Sequence, residues 1–282
     1  MIDEPDIEFE DPPAIGWMRY NDDFLISGKD MKPILIVPAN GNSTRFGDSK
    51  LPKWALEHPS GRLMIAEAVR GISGYSEIHI AIRDEYRDTP IVSKLMMDIS
   101  EVCPDESYSG RRQIHFLKPT ASVVETVSNV LNAIGGDFPF VSKDCDNYFT
   151  LSASNYDEMF TNFVAYANIR ETPCPEGKCY LDGYMMPGGG YLVTSLKEKR
   201  EMSPEFCCGA YGFRSSKEFQ EAQAYLNFFR TSMGCQDSEM YLSDVMNELI
   251  RKGKTCYARP VLSYSDWGTR NLWERFLKEY KK

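Results

Sequence analysis

The feature that most constrains the fold is a regular alternation of strand-like and helix-like segments beginning at Ile34. Ile34-Leu35-Ile36-Val37 is an apolar, largely β-branched run, the composition of a buried strand. Leu63, Met64, Ala68, Val69 and Ile72 then recur at helical spacing, and residues 77–82 read as the next strand. A second helix places Ile91, Val92, Leu95, Met96 and Ile99 on one face, followed by a strand over 113–117. A third helix spans about 123–134 and leads into a short buried strand over 138–142. Such alternation predicts a largely parallel sheet wrapped by helices. Ligands of such sheets bind at the carboxyl ends of the strands, here the loops after Val37 and Ser142.

The first of those loops is chemically distinctive. Ala39-Asn40-Gly41-Asn42-Ser43-Thr44-Arg45-Phe46-Gly47 is small, polar and glycine-bearing, and Leu51-Pro52-Lys53 follows. Backbone N–H groups in such a loop can wrap a phosphate chain. Arg45 and Lys53 add two cations to it, a combination that points to a nucleoside triphosphate. No Gly-Lys-Ser/Thr follows the glycines, and G-x-G-x-x-G does not occur, so neither common nucleotide fingerprint is present. The plain alternative is a solvated surface turn between a strand and a helix.

Beyond residue 150 the pattern turns β-rich, with candidate strands over 162–167, 179–184, 190–195 and 207–213. Helices over 216–229 and 241–251, a strand over 255–262 and a last helix over 271–280 follow. Pro187-Gly188-Gly189-Gly190 marks a hairpin tip or a hinge. Residues 1–30 are rich in Asp, Glu and Pro, and read as an acidic N-terminal extension.

Charge narrows the partners. With 41 acidic against 32 basic side chains the net charge is −9, which argues against a nucleic-acid surface but not against a local pocket for a small anion. No run of 18 apolar residues and no secretory leader pattern is present, so a cytoplasmic protein without a membrane partner is expected. The eight cysteines form no C-x-x-C pair and read as reduced thiols. His58, His79 and His115 form no cluster; His79 and His115 fall in strand-like runs and read as structural.

Three charged elements remain. Lys143-Asp144-Cys145-Asp146-Asn147 follows a strand end, where two carboxylates at i and i+2 suit one Mg²⁺ ion if phosphates supply the other oxygens. A D-x-D alone is weak in so acidic a chain. Asp266, in Tyr264-Ser265-Asp266-Trp267-Gly268-Thr269, follows a strand and opens the last helix, where helix capping is the competing role and Thr269 or Asn271 could fill it instead. Leu196-Lys197-Glu198-Lys199-Arg200 is on its own a solvated charge run, notable for lying before Cys207-Cys208-Gly209.

Taken in order over about residues 32–280, these pieces resemble the sugar-phosphate nucleotidyltransferase (nucleoside-diphosphate-sugar pyrophosphorylase) family. Gly41-x-x-x-Arg45-Phe46 with Pro52-Lys53 is similar to its signature loop, and Asp146 and Asp266 resemble its two metal-binding aspartates. Glu198-Lys199 resembles its E-K-P element, whose lysine holds the acceptor phosphate and whose glutamate holds a sugar hydroxyl; Gly209 resembles the glycine that backs the sugar. Arg200 stands where the family has proline, and Asn40 where many members have glycine. The segment Lys118-Pro119-Thr120-Ala121-Ser122-Val123-Val124-Glu125-Thr126 lacks the glycine that commonly lies beneath the base, and its Glu125-Thr126 pair is similar to divergent capsule-type members.

The resemblance implies an α/β fold: a Rossmann-like mixed, mostly parallel sheet flanked by helices, with a β-rich acceptor-binding half. It implies one domain over 31–282, its nucleotide-binding half at about 31–150 and its acceptor-binding half at about 151–282. Arg45 and Lys53 would be catalytic, and Asp146 and Asp266 would hold Mg²⁺. Ala39, Asn40, Gly41, Asn42, Ser43, Thr44, Lys118, Thr120, Ser122, Glu125 and Thr126 would line the nucleotide, and Glu198, Lys199 and Gly209 the acceptor. The partners would be a nucleoside triphosphate and a small phosphate ester such as a sugar 1-phosphate, with a homo-oligomer left open. Competing readings are a metal-dependent glycosyltransferase of the related fold, a silent subunit that keeps the pocket, and a transferase with a non-sugar acceptor such as phosphocholine.

Overall fold

β1 (Ile34–Pro38) is the structural centre of the first half of the chain because it carries no charged side chain and can be buried on both faces. A computed structural model describes residues 32–41, 46, 51–103, 111–152, 160–170, 177–187, 189–235 and 239–280; the 1–30 extension and Asn42, Ser43, Thr44 and Arg45 of the signature loop lie outside the described residues. β1 runs parallel to β3 (Ile78–Arg83) on one side and to β5 (Phe140–Lys143) on the other, and β4 (Arg112–Leu117) extends the parallel block beyond β3. The period-2 geometry of β1 divides its side chains between two cores. Leu35 and Val37 meet α1 (Met64–Arg70) and α2 (Pro90–Val102); Ile34 and Ile36 meet the core beneath α3 (Val123–Ile134). Helices therefore cover both faces.

The first half matches the parallel expectation, but the whole sheet does not. Its nine-stranded order is β4-β3-β1-β5-β10-β7-β11-β9-β8, completed by β7 (Asn162–Asn168), β8 (Cys179–Met185), β9 (Tyr191–Glu198), β10 (Glu205–Phe213) and β11 (Cys256–Pro260). β10 is antiparallel to both β5 and β7, β9 is antiparallel to β11 and β8, and only β7 and β11 pair in parallel there. Phe206 of β10 also pairs with Tyr180 of β8, which closes five strands into a barrel-like ring. The sheet is mixed, as expected, but it is not mostly parallel: its second half is antiparallel apart from the β7–β11 pair. The reason lies in the connections: β8 and β9 are joined by a tight turn, which permits only antiparallel pairing. That turn, with Met186 N donating to Gly190 O at 2.8 Å, is a hairpin tip.

α4 (Ser216–Ser232) and α5 (Leu242–Arg251) pack Phe219, Ala222, Val245, Met246 and Leu249 onto the α3 side of the sheet. The expected single strand over 255–262 is two strands in two sheets. Pro260, with no N–H to donate, ends β11; β12 (Leu262–Asp266) then pairs antiparallel with β6 (Asn147–Ser152), which in turn pairs with β2 (Ile72–Ser73). Ile72, expected on the first helix, lies in β2. α6 (Arg270–Tyr280) ends the described chain.

Seven described cysteines are free thiols. No helix among the described residues is long and apolar enough to cross a membrane. His79 and His115 are buried in the β3–β4 pair, where His79 Nδ1 and His115 Nε2 lie 2.9 Å apart and Glu77 meets His79 Nε2 at 3.1 Å. Burial, and secondarily His79, pushes His115 down to about 4. The unfolded chain therefore binds a proton at His115 that the fold rejects. Stability is intact above the unfolded value near 6.5 and falls as the pH drops toward 4. Urea unfolding at pH 7.5 and 5 is expected to show a loss of about 2 kcal/mol from this source, absent in His115→Gln.

Candidate active site

The site is assembled by the β6–β12 pair. Asp266 stands opposite Asn147 in that ladder, and Trp267 N donates to Asp146 O at 2.9 Å, so the end of β12 is fastened to the turn that carries Asp146. Gly268 marks the convergence. A Cβ on it would sit 3.0 Å from Asp266 Oδ1 and 3.2 Å from Asp146 Oδ2, placing two carboxylates 120 residues apart in sequence around one point. Gly268 N donates to Asp266 Oδ1 at 2.8 Å, and the cap of α6 comes instead from Thr269, whose Oγ1 accepts from Leu272 N at 3.3 Å.

Each carboxylate is met by a lysine. Lys53 Nζ donates to Asp146 Oδ2 at 2.5 Å, and Lys178 pairs with Asp266 Oδ2 while donating to the Tyr264 hydroxyl at 2.9 Å. Lys178 escaped the sequence reading. It lies just before a predicted strand, in no motif, one of 32 basic side chains. Two hard carboxylate oxygens facing one point, already compensated by cations, are a donor set suited to Mg²⁺, which needs few protein ligands when phosphates complete its shell.

The D-x-D pair is split by the fold. Asp146 lies beside Asp266 at Gly268, whereas the Asp144 carboxylate lies against Gly209, still within the electrostatic reach of Asp146, Lys53 and Lys178. Asp144 N donates to Gly209 O at 2.8 Å, and a Cβ on Gly209 would fall 2.2 Å from Asp144 Oδ2. Gly209 also holds φ +84°, a left-handed conformation that favours glycine. Burial, and then the Asp146 charge, pushes the Asp144 carboxyl up from its ordinary range. Beneath the turn lies Lys143, fully buried. Its ammonium donates to Asp144 O at 2.8 Å, Asn147 O at 3.0 Å and Asn147 Oδ1 at 2.5 Å, and stands 4.5 Å from the Phe149 ring. Burial pulls Lys143 down to about 8. An internal ammonium thus pins the turn that presents Asp146.

After β1, Ala39 N continues the strand's pairing to Ala81 O at 2.8 Å, and Gly41 is exposed. Asn40 is buried and staples two loops, its Nδ2 donating to Lys118 O at 2.9 Å and Thr120 Oγ1 at 3.1 Å; its Oδ1 has no hydrogen-bond partner among the described residues. Ser122, Glu125 and Thr126 build the start of α3. Ser122 Oγ accepts from Glu125 N at 3.2 Å, Glu125 Oε2 accepts from Ala121 N at 2.7 Å, and Thr126 Oγ1 lies 2.6 Å from Thr120 Oγ1. Lys118 is exposed.

Lys53 begins a single 3-10 turn (Lys53–Ala55) that buries Trp54 and Ala55, with Pro52 at φ −65° leading in. The signature loop is held from the far end of the chain. Phe46 packs with Met64, Ala68, Trp267 and Trp273, and its carbonyl accepts from Arg270 at the head of α6.

At the end of β9, Glu198 and Lys199 both look toward α5. Glu198 Oε1 accepts from Ser243 Oγ at 2.5 Å, and Lys199 Nζ lies 3.0 Å from the Tyr241 hydroxyl. Lys199 holds φ +57°, unusual for a side chain with a Cβ, and its N–H donates to Lys178 O at 2.8 Å. Lys199 thus meets Tyr241, and Lys178 is the lysine at the carboxylates.

The fold is shared with several solved nucleotidyltransferase structures. Among solved structures the chain is similar to a nucleoside-diphosphate-sugar pyrophosphorylase from Vibrio cholerae RC9, with a TM-score of 0.66 and 16% identity over 86% of this chain and 99% of that one. It is similar to the inositol-1-phosphate CTP transferase of T. maritima (TM-score 0.63, 12% identity, 89% and 95% covered). It also resembles the CTP:phosphocholine cytidylyltransferase of Streptococcus pneumoniae (TM-score 0.53, 14% identity, 89% and 100% covered). No family model and no curated protein sequence matches the chain.

Gly209→Ala is expected to destabilise the protein by about 2 kcal/mol or more, because it forces a left-handed alanine against Asp144. Equilibrium urea unfolding checks this. Arg270→Ala removes this donor from the Phe46 carbonyl and is expected to destabilise the protein by about 1 kcal/mol, read from the midpoint of the same unfolding measurement.

Proposed function

We propose that the protein is an Mg²⁺-dependent nucleotidyltransferase that joins a nucleoside monophosphate from a nucleoside triphosphate to a sugar 1-phosphate or similar small phosphate ester, releasing pyrophosphate. The observation that carries this reading is the convergence of Asp146 and Asp266, each paired with a lysine, at the carboxyl end of the parallel strands. The fold it shares with pyrophosphorylases and cytidylyltransferases supports the same reaction class.

The chemistry is attack of a phosphate oxygen on the α-phosphorus. The nucleophile is already an anion, so no general base is needed, and the task is to hold two anions together. Asp146 and Asp266 would hold Mg²⁺, which when bound would neutralise charge at the phosphates. Lys53, within reach of Asp146, adds a cation where the α-phosphate and the incoming phosphate meet. Arg45 would draw the β- and γ-phosphates into their leaving position. Asn40, by tying the phosphate loop to Lys118 and Thr120, would fix the wall against which the base lies. The acceptor would enter beside β8, β9 and Gly209.

A glycosyltransferase has no pyrophosphate to release, and the cationic loop from Arg45 to Lys53 favours nucleotidyl transfer over it. The acceptor class stays broad, since inositol phosphate and phosphocholine are named for enzymes of the same fold.

Pyrophosphate release with Mg²⁺, each NTP and a panel of sugar 1-phosphates and small phosphate esters tests the reading. Signal is expected only when one NTP and one acceptor are present together. Lys53→Ala and Asp146→Asn are each expected to lower turnover by about 10²–10³ with little change in thermal unfolding; a variant keeping more than about a tenth of wild-type turnover removes that residue from the mechanism.

A further inference from the structure

Resting on the reading above, we infer that Lys178 is the cation that receives the acceptor's phosphate, in the place that the sequence resemblance gives to Lys199. Three observations carry this. First, Lys178 pairs with Asp266 and donates to Tyr264 on the same strand, so its ammonium already lies at the carboxylate pair. Second, the Lys199 ammonium stands on the Tyr241 hydroxyl, 5.3 Å from that ring's centre, and Glu198 is likewise engaged by Ser243. The Glu-Lys element is thus directed to the start of α5. Third, Lys199 N donates to Lys178 O, so the two positions are adjacent in space and an ammonium can be supplied to the same region from either backbone site.

The placement has a charge logic. Lys53 belongs to the nucleotide half and Lys178 to the acceptor half, and each neutralises one aspartate. A phosphate monoester approaching a triphosphate brings about two further negative charges to the crevice. A divalent cation on Asp146 and Asp266 satisfies those carboxylates itself. The two ammoniums are then available to phosphate oxygens, one from each half. The side chain of Lys178 is 20% exposed against 9% for Asp266, so the lysine is the more accessible member of the pair. Lys178 and the metal therefore compete for Asp266 before substrate binds and act together afterwards.

That competition gives the test a readout independent of turnover. Lys178→Met, Lys178→Arg and Lys199→Ala are compared in steady-state kinetics with the NTP and acceptor that the panel identifies. Mn²⁺ alone is titrated into each nucleotide-free protein and followed by electron paramagnetic resonance. Lys178→Met is expected to lower kcat/KM for the acceptor at least 100-fold, and by at least ten times more than Lys199→Ala does. Its KM for the NTP should stay within threefold of wild type. Lys178→Arg should recover a tenth or more of the lost rate. Mn²⁺ should bind Lys178→Met about five- to tenfold more tightly than wild type, because a competing cation has left Asp266. A purely structural Lys178 would instead loosen Mn²⁺ when removed.

Acceptor kcat/KM within threefold of wild type in Lys178→Met, or a larger loss in Lys199→Ala, overturns the inference while leaving the reaction class intact. Unchanged or weaker Mn²⁺ binding also overturns it. A Lys178→Met protein that fails to fold is replaced by Lys178→Gln, judged by the same values. A wild type that releases no pyrophosphate with any pair overturns the reaction class, and the acceptor role with it.

Discussion

Two carboxylates aimed at one point repel each other, and the rest of the site is arranged around that constraint. Asp146 and Asp266 are forced together by the β6–β12 ladder, and the fold answers with Lys53 and Lys178 on their flanks and Lys143 beneath the turn. The three ammoniums have different tasks. The buried one is locked by backbone and amide oxygens and shapes the turn, while the two beside the carboxylates are partly solvated. Asp146, Asp266, Lys53 and Lys178 together are nearly neutral, in a protein whose net charge is −9.

Much of the fold was legible because its signal is local. The parallel strands β1, β3 and β4 and the helices α2 and α3 follow directly from apolar periodicity, and their residues fill the two cores on either side of the sheet. What periodicity cannot express is which strand lies beside which. The antiparallel insertion of β10 between β5 and β7, the closure of β8 on β10 and the break at Pro260 depend on pairings between residues far apart in sequence. The strand-rich second half therefore read correctly as strands but incorrectly as part of a mostly parallel sheet.

The candidate site divides along the same line. Asp146, Asp266 and Lys53 lie in short motifs and meet in space. Lys178 lies in no motif, and Lys143 opens the Asp144-x-Asp146 element without a legible role there; both gain meaning only when the chain is folded, since a lysine's meaning is set by the carbonyls and carboxylates around it. Asn40 is an intermediate case: its position in the phosphate loop was legible, whereas its hydrogen bonds to Lys118 and Thr120 were not. Ser122 and Glu125 were noticed for their sequence pattern, and the same pattern is a helix start.

The pairing of Asp146 with Asp266 also bears on how the protein is made. Synthesis proceeds from the amino end, and the parallel block with its two helical layers is complete in sequence by residue 143. The crevice is not. Until residue 266 has left the ribosome, the turn carrying Asp146 lacks β12, and Phe46 lacks both Trp267 and the Arg270 donor. A nascent chain can thus hold a folded sheet well before Asp146 and Asp266 can meet, and the site is completed by the late docking of residues 262–280 onto a framework that has been waiting for them.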